Sequence, residues 1–198
     1  MNEYFPFERG PHPVGTRQFS WSDRSRNCTM PVDIWYPAAS AHDGEDFDPE
    51  KMSSFDFLFG PGKNTQNAVM NAKARSGTFP LVVFSHGYGG ERRQSTFFYT
   101  HLASHGYVIA AMDHVGNTTV DLLSGHSAGD AESINRFMQS RPVDASFVID
   151  QMLAGASDLD IDEDRIGMSG HSFGGWTTLK TAEKDARIKA IMPLAPGG

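Results

Sequence analysis

The sequence has one cysteine, no long apolar run and no excess of positive charge. Cys28 is the single cysteine among 198 residues, so an internal disulfide is excluded. No apolar run approaches the roughly 18 residues of a membrane-spanning helix, so we expect no stable membrane insertion. The formal net charge of -7, without a long Lys/Arg cluster, argues against a general nucleic-acid binder. The first ten residues lack a signal-peptide profile, so a cytoplasmic location is the default expectation.

Length and composition predict one domain that spans residues 1–198. A chain of 198 residues is long enough to bury a sizeable core, and its apolar content of 39% is ordinary for a globular protein. We find no internal repeat and no low-complexity segment that would divide the chain.

One stretch has the pattern of a nucleophile elbow. A short apolar run at 166–168 leads into Gly170-His171-Ser172-Phe173-Gly174, and a helix-compatible segment follows. Strand, Gly-x-Ser-x-Gly and helix in this order predict a sharp turn that exposes the serine hydroxyl at the carboxyl edge of a sheet. Glycines flank the serine because larger side chains would collide with the neighbouring strand and helix. Ser172 is therefore the predicted nucleophile, with the N–H of Phe173, at a helix N-terminus, as an oxyanion donor.

A second match to the same pattern, Gly125-His126-Ser127-Ala128-Gly129, has the wrong surroundings. Asp121 and Ser124 interrupt the apolar residues before it, so no buried strand leads into the turn. Ser127 is therefore the weaker candidate for the nucleophile.

Apolar runs at 79–85 and 107–112 are typical of strands buried on both faces, and a last strand is predicted at 188–194. With the elbow strand, these segments predict a doubly wound, mostly parallel α/β sheet. Helices are predicted at 91–105, from Pro142 to about residue 153, and after the elbow. Pro142 fits the first position of a helix. Asp144, one turn further on, is expected to stabilise the helix start or to pair with Arg141.

The N-terminal part predicts an antiparallel hairpin at one side of this sheet. Segments 16–21 and 30–36 read as strands on either side of a polar turn. The long connection 38–76 is predicted to be a surface insertion with a short helix at 49–58, and a cap over the substrate pocket is the alternative.

Functional sites in such sheets lie at the carboxyl ends of the strands, where His86-Gly87, Asp113-His114 and Ser172 all fall. The turn after residues 79–85 carries glycines at 87, 89 and 90, which let its backbone approach a ligand. The N–H of Tyr88 in this turn is the predicted second oxyanion donor. The competing interpretation is a tight turn without a catalytic role.

No histidine follows Ser172, although acid and histidine follow the nucleophile in this architecture. Glu183 and Asp185 lie on or just past the elbow helix and should face the wrong way. Either the sequence is the N-terminal part of a longer hydrolase, or a loop histidine substitutes, for which His114 and His126 are the candidates. The side chain of His171 should point away from the serine. The predicted pocket-lining residues are His86, Gly87, His114 and His171.

The acidic stretch 158–164 alternates like a calcium-binding loop. It lacks the central glycine of such a loop and carries Leu159 and Ile161 between its acids, so a solvated loop is predicted. No Cys/His cluster has the spacing of metal ligands. We therefore predict neither a metal nor a cofactor.

These motifs together resemble the α/β-hydrolase superfamily, in the branch of dienelactone-hydrolase-like proteins related to platelet-activating-factor acetylhydrolases. The resemblance spans nearly the whole chain in order and spacing. It rests on Gly10-Pro11-His12-Pro13-Val14-Gly15, Asp33-Ile34-Trp35-Tyr36-Pro37, Phe84-Ser85-His86-Gly87-Tyr88-Gly89, Leu102-Ala103-Ser104-His105-Gly106-Tyr107, Asp113-His114 with Gly116-Asn117-Thr118, Arg141-Pro142-x-Asp144, and Asp164-Arg165-Ile166 before the elbow.

The resemblance implies Ser172 as nucleophile, Tyr88 and Phe173 as oxyanion donors, and two further strands and a histidine beyond this sequence. One departure concerns the acid. In the acetylhydrolases it ends the strand after the elbow helix, whereas here that strand ends Pro193-Leu194-Ala195-Pro196. The acid would then lie later, as in dienelactone hydrolases, which weakens any claim to phospholipid specificity.

The sequence as a whole predicts a cofactor-independent serine carboxylester hydrolase acting on a small-molecule ester or lipid. The general base and acid are expected beyond residue 198, so these residues alone should be nearly inactive. A non-catalytic binding or scaffold protein is the alternative from another class, and a peptidase or acyltransferase the alternative within enzymes. If the strand at 188–194 remains an unpaired apolar edge, we expect edge-to-edge association of the chain.

Overall fold

A computed structural model of the protein describes residues 7–56, 61–125 and 129–197, which form one mixed sheet flanked by helices. The strands are β1 (Val14–Asp23), β2 (Cys28–Pro37), β3 (Met52–Asp56), β4 (Lys63–Met70), β5 (Thr78–Ser85), β6 (Val108–Met112), β7 (Asp160–His171) and β8 (Ile188–Leu194). The helices are α1 (Thr96–Ser104), α2 (Thr119–Leu123), α3 (Ala131–Leu153) and α4 (Phe173–Ala182).

The strand order across the sheet is β3-β4-β1-β2-β6-β5-β7-β8. Strands β6, β5, β7 and β8 run parallel to one another, whereas β2 is antiparallel to both β1 and β6. The predicted α/β class is confirmed. Because β5 and β7 are parallel neighbours, their carboxyl ends meet at one edge of the sheet.

Both faces of the central strands are covered by helices, which explains their continuous apolar sequences. All residues of β6 are buried. On one face Ala145, Val148, Ile149 and Met152 of α3 pack on the sheet. On the other, Tyr99 and Ala103 of α1 pack against three buried side chains of the strands, Trp35, Phe84 and Ile109. Burying a side chain of the size of valine or leucine stabilises the fold by about 1.5–3 kcal/mol.

Two of the predicted helices differ from the structure. The prediction of a helix at 49–58 is wrong over residues 52–56, which form β3 and pair antiparallel with β4. The amide of Gln66 on β4 donates to the hydroxyl of Ser53 at 3.2 Å, and Ser53 is buried in this contact. Residues 57–58 of that prediction lie outside the described residues. The helix predicted at 91–105 is confined to Thr96–Ser104.

The start of α3 is also not where proline indicated it. Asp130 precedes the helix and accepts a hydrogen bond from the N–H of Ser133 at 2.7 Å, which is a typical N-cap. Pro142 is therefore inside α3. Asp144 does not stabilise a helix start, because it lies in the helix middle, and no ion pair joins it to Arg141 among the described residues. Its carboxylate contacts Arg26 and His114 instead.

Strands β7 and β8 show two further features. The acidic stretch predicted as a loop contributes the beginning of β7, where Asp160 pairs with Thr78 of β5. Strand β8 is an edge of the sheet as described, and Ile191 and Met192 on it are 44% and 43% exposed. None of the helices within the described ranges is long and apolar enough to cross a membrane.

Candidate active site

Ser172 lies at the junction between β7 and α4 in a left-handed backbone conformation. Its φ and ψ are 54° and -118°. Residues other than glycine rarely adopt this backbone conformation, which costs about 1–3 kcal/mol of strain. Hydrogen bonds hold the residue in place. Its N–H donates to the carbonyl of Leu194 at 2.9 Å, and its carbonyl accepts from Gly197 and Trp176 at 3.0 and 3.1 Å. The amides before Trp176 belong to the first turn of α4, where helix N–H groups have no intrahelical acceptor.

The glycines on either side of Ser172 are required by backbone contacts. A Cβ added at Gly170 would lie 2.4 Å from the carbonyl oxygen of Gly174 and 2.7 Å from that of Ser85. A Cβ at Gly174 would lie 1.9 Å from the carbonyl oxygen of Ser85 and 2.7 Å from that of His86. The elbow is therefore packed directly on the end of β5, and only glycine fits at these contacts.

The turn after β5 lies against the elbow. A Cβ at Gly87 would be 3.6 Å from the Cβ of Ser172 and 3.5 Å from Nδ1 of His171. The turn is closed by the N–H of Gly90, which donates to the carbonyl of Gly87 at 3.1 Å. Tyr88 in this turn is 38% exposed, and its ring centroid is 6.1 Å from that of Phe173. The structure thus brings the turn that carries Tyr88 next to Ser172 and Phe173.

His86 is fully enclosed behind this turn and does not line an open pocket. Its Nε2 accepts from the backbone N–H of His114 at 3.0 Å, and its Nδ1 lies 2.6 Å from the carbonyl oxygen of Gly87. A carbonyl can only accept, so Nδ1 carries the proton and the ring is neutral. This tautomer satisfies both ring nitrogens within the protein.

His114 is buried in a hydrogen-bonded line that resembles a catalytic relay in its residue types. Its Nε2 is 2.8 Å from Oγ of Ser85, and its Nδ1 is 2.7 Å from Oδ2 of Asp144. Arg26 donates to the other oxygen of Asp144 at 2.5 Å. Ser85 is 0% exposed at the end of β5, so a substrate has no access to its hydroxyl. Both ring nitrogens of His114 are occupied here, so this histidine does not serve Ser172.

Arg141 of α3 joins this line to the turn after β5. It is 0% exposed, and its Nη1 donates to Oδ1 of Asn117 at 2.7 Å. Its Nη2 donates to Oγ of Ser85 at 3.2 Å and to the carbonyl oxygen of His86. The guanidinium carbon lies 4.7 Å from the centre of the Phe173 ring. One buried cation therefore contacts the turn, the end of β5 and the first residue of α4.

Burial determines the protonation states in this cluster. It lowers the pKa of His86 and His114 well below the usual value, and the charge of Arg141 lowers both further. Burial also lowers the pKa of Arg141 to about 9, which leaves the guanidinium charged at neutral pH. Burial raises the pKa of Asp144 to about 6, against the opposing effect of Arg26. The cluster thus holds neutral imidazoles beside a buried cation.

Of the remaining sequence candidates, His171 is exposed at the end of β7, with its Nδ1 close to Gly87 of the turn. His126 and Ser127 lie outside the described residues. No group of three or more His, Cys, Asp or Glu side chains within the described ranges could hold a metal ion, and this includes the acidic stretch 158–164.

Sequence reasoning missed the supporting roles of Ser85, Asn117 and Arg141. Arg141 and Asp144 are three residues apart in a helix, a spacing that places them on neighbouring positions of one helix surface. Buried polar residues at the ends of adjacent parallel strands were a second signal. Neither signal indicates which strand end the arginine reaches.

Comparison with known proteins identifies the family of the chain. Residues 58–198 match the model of the PET hydrolase-like family. Platelet-activating factor acetylhydrolase of Canis lupus familiaris is 29% identical over 210 residues, which cover 87% of this chain and 46% of that protein. Cutinase est2 of Thermobifida alba is 32% identical over 119 residues, which cover 60% of this chain and 35% of the cutinase.

A solved structure shows the same fold. A ferulic acid esterase from Streptomyces cinnamoneus superposes with a TM-score of 0.69 at 27% identity, covering 89% of this chain and 57% of that one. The chain thus spans less than half the length of the curated relatives described above. The match over residues 58–198, with relatives that are esterases, cutinases and acetylhydrolases, shows that the chain belongs to the PET hydrolase-like family of α/β-hydrolase esterases.

Proposed function

We propose that the protein is a serine carboxylic ester hydrolase that forms an acyl-enzyme on Ser172. The observation that carries the proposal is the left-handed backbone of Ser172 at the β7–α4 junction, with the turn of Gly87 packed against it. A strained serine at the N-terminus of a helix is suited to nucleophilic attack beside amides that bind negative charge. The family supports ester hydrolysis as the reaction class.

In this proposal Ser172 Oγ attacks the ester carbonyl while a histidine takes its proton. The carbonyl oxygen gains the negative charge, and the N–H groups of Tyr88 and Phe173 bind it. Collapse of the tetrahedral intermediate breaks the bond to the alcohol, which leaves with the proton of the histidine. Water then attacks the acyl-enzyme with the histidine as base, and the carboxylic acid is released.

The histidine and the acid of this relay are proposed to lie beyond residue 198 in the full-length protein. Two observations support this assignment. Both ring nitrogens of His114 are bonded to Ser85 and Asp144. The matches also cover only part of the relatives, 46% of the acetylhydrolase and 35% of the cutinase.

The proposed substrate is a small-molecule ester or a lipid ester. The names of the relatives agree on the ester bond and differ in the compound, from platelet-activating factor to ferulic acid. The walls of the pocket determine which substrate is cleaved and which acceptor receives the acyl group. Peptidase and acyltransferase activities are therefore tested alongside ester hydrolysis.

The test uses the full-length protein, an alkyl fluorophosphonate probe and a short-chain nitrophenyl ester. We expect covalent labelling and turnover in the wild type and loss of both in Ser172→Ala. Ser127→Ala is the matched control, because it changes the serine of the second Gly-x-Ser-x-Gly and should leave both intact. Absence of labelling in the wild type would favour a binding or scaffold protein.

Loss of labelling in Ser127→Ala alone would assign the nucleophile to residue 127 instead of residue 172. Peptide or alcohol acceptors included in the assay separate hydrolysis from the other acyl transfers.

A further inference from the structure

Arg141 is a buried cation that no direct ion pair joins to a carboxylate among the described residues. Its side chain is 0% exposed, and the charge of Asp144 acts on it without a hydrogen bond between the two. The oxygen atoms that it contacts are neutral: the amide oxygen of Asn117, the hydroxyl of Ser85 and the carbonyl of His86. Its Nε has no hydrogen-bond partner. Since a buried charge is costly unless it is paired, a cation kept in this state calls for an explanation beyond packing.

The contact with the His86 carbonyl fixes the first peptide of the turn that carries Tyr88. The second peptide is fixed by His86 itself, whose Nδ1–H donates to the carbonyl of Gly87 at 2.6 Å. A peptide unit is planar, and its N–H points opposite to its C=O when the bond is trans. The described chain has no cis peptide, so the bond on the Gly87 carbonyl sets the direction of the Tyr88 N–H. Both peptide units before Tyr88 are therefore fixed through their carbonyl oxygens, by Arg141 and by the ring of His86.

The same guanidinium packs on the side chain of Phe173, the residue that carries the other proposed donor. Its carbon is 4.7 Å from the centre of the Phe173 ring, and Phe173 is the first residue of α4. The guanidinium of Arg141 thus contacts both chain segments that carry the proposed oxyanion donors, through the carbonyl of His86 and the ring of Phe173. A fixed positive charge in a region of low dielectric stabilises negative charge that develops nearby.

We propose that Arg141 is a positioning residue of the oxyanion site: it fixes the turn of Tyr88 through the carbonyl of His86, packs on the ring of Phe173, and keeps a positive charge beside the two segments that carry these amides. The proposal rests on the ester hydrolase function proposed above. It concerns the transition state, because the negative charge exists only there and in the tetrahedral intermediate. Binding of a neutral ester should depend on it little.

The experiment compares Arg141→Gln with the wild type in the full-length protein. We expect kcat for p-nitrophenyl acetate to fall by about 10²-fold, as is typical when one oxyanion donor is lost or displaced, with KM changed by less than about threefold. Phenylboronic acid forms a tetrahedral anion on a reactive serine. Its inhibition constant should rise in proportion to the loss of kcat/KM, which a merely structural role would not produce.

Two further variants keep the test decisive. Arg187→Gln is the matched control, because it removes an arginine that also bonds to α3, through Asp150 and the carbonyl of Ser146, away from the turn. It should lower the melting temperature and leave kcat and the boronate affinity unchanged. Arg141→Lys keeps the charge but loses the forked donors. If Arg141→Gln does not fold, Arg141→Lys decides, with an expected fall in kcat of about tenfold.

The outcomes separate this proposal from the proposed function. An active wild type with unchanged kcat and boronate affinity in folded Arg141→Gln, or in Arg141→Lys if the former is unfolded, overturns the role of Arg141 alone. Losses that follow only the folded fraction in each variant overturn it as well. A wild type that neither reacts with a fluorophosphonate nor hydrolyses esters removes the proposed function and this role together.

Discussion

Replacing Gly174 by alanine should test the packing of the elbow on β5. The added methyl carbon would lie 1.9 Å from the carbonyl oxygen of Ser85 and 2.7 Å from that of His86. Both obstacles are backbone atoms of the strand end and the turn, so no side chain can rotate away. To restore a normal contact, α4 and the end of β5 must separate by about 1 Å.

The expected magnitude follows from two opposing effects. Overpacking of this kind costs about 3 kcal/mol, at the upper end of its usual range. Alanine in a helix is favoured over glycine by about 1 kcal/mol, so the net loss of stability should be about 2 kcal/mol. For a chain of 198 residues this lowers the melting temperature by about 4–8 °C. A displacement of about 1 Å at Ser172, the proposed nucleophile, should slow its acylation by about 10²-fold.

The assay pairs thermal unfolding with the rate of fluorophosphonate labelling in the full-length protein. Gly167→Ala is the matched control, since a Cβ there would meet its nearest atom, the carbonyl oxygen of Ala190, at 3.4 Å. That variant should be close to the wild type in both measurements. A Gly174→Ala protein with wild-type melting temperature and labelling rate would refute the close packing of the elbow.

Two other predictions concern stability and association. The hydrogen bond from Arg187 lowers the pKa of Asp185 to about 2, from 3.8, so the charged pair should stabilise the fold above pH ~4 and lose this effect as pH falls towards 2. Asp185→Asn should therefore be less stable by about 1 kcal/mol at pH 7, allowing for solvent screening. The difference in unfolding free energy from the wild type in denaturant titrations should narrow between about pH 4 and 2, and a difference that stays constant over this range would contradict the assignment. Residues 1–198 expressed alone should self-associate through the edge of β8, and Ile191→Lys should raise the dissociation constant by about tenfold, as expected from losing roughly 1.5 kcal/mol of apolar burial. If residues 1–198 with the wild-type sequence sediment as a monomer, the predicted association through β8 is contradicted.

The buried parallel strands β5 and β6 were predictable because their sequences are almost continuously apolar, and they differ from the predicted runs by one residue at one end. Strand β8 has the predicted bounds but lies at an exposed edge. Strands β3 and β4 were missed because their residues are mostly polar or exposed. Only Ser53 in β3, and Gln66 and Ala68 in β4, are buried. Such outer strands are defined by pairing with each other, which a local pattern does not reveal.

The helix around Pro142 illustrates a different difficulty. Proline at the first position of a helix is common, and this favoured a helix start at that point. The N-cap of Asp130 begins the helix a dozen residues earlier, and tertiary packing carries it through the proline. Two local signals for a helix start were present, Asp130 and Pro142, and Pro142 was the misleading one.

The elbow was predictable as a motif, but the support behind it was not. Ser172 and its flanking glycines are consecutive in sequence, so strand, turn and helix can be read directly. Ser85, His114 and Asp144 are separated by 29 and 30 residues, and their contact depends on how α3 crosses the sheet. Residue types alone had suggested His114 as a base for Ser172 or a wall of the pocket.

The left-handed conformation of residue 172 also limits which side chains could replace the proposed nucleophile. A φ of 54° is tolerated by an unbranched side chain at a cost, whereas a second heavy atom on Cβ makes it a genuine steric outlier. Threonine, which differs from serine by one methyl group, is therefore poorly accommodated. Cysteine has the same branching as serine. An exchange of oxygen for sulfur chemistry is thus sterically easier at this position than the addition of a single carbon.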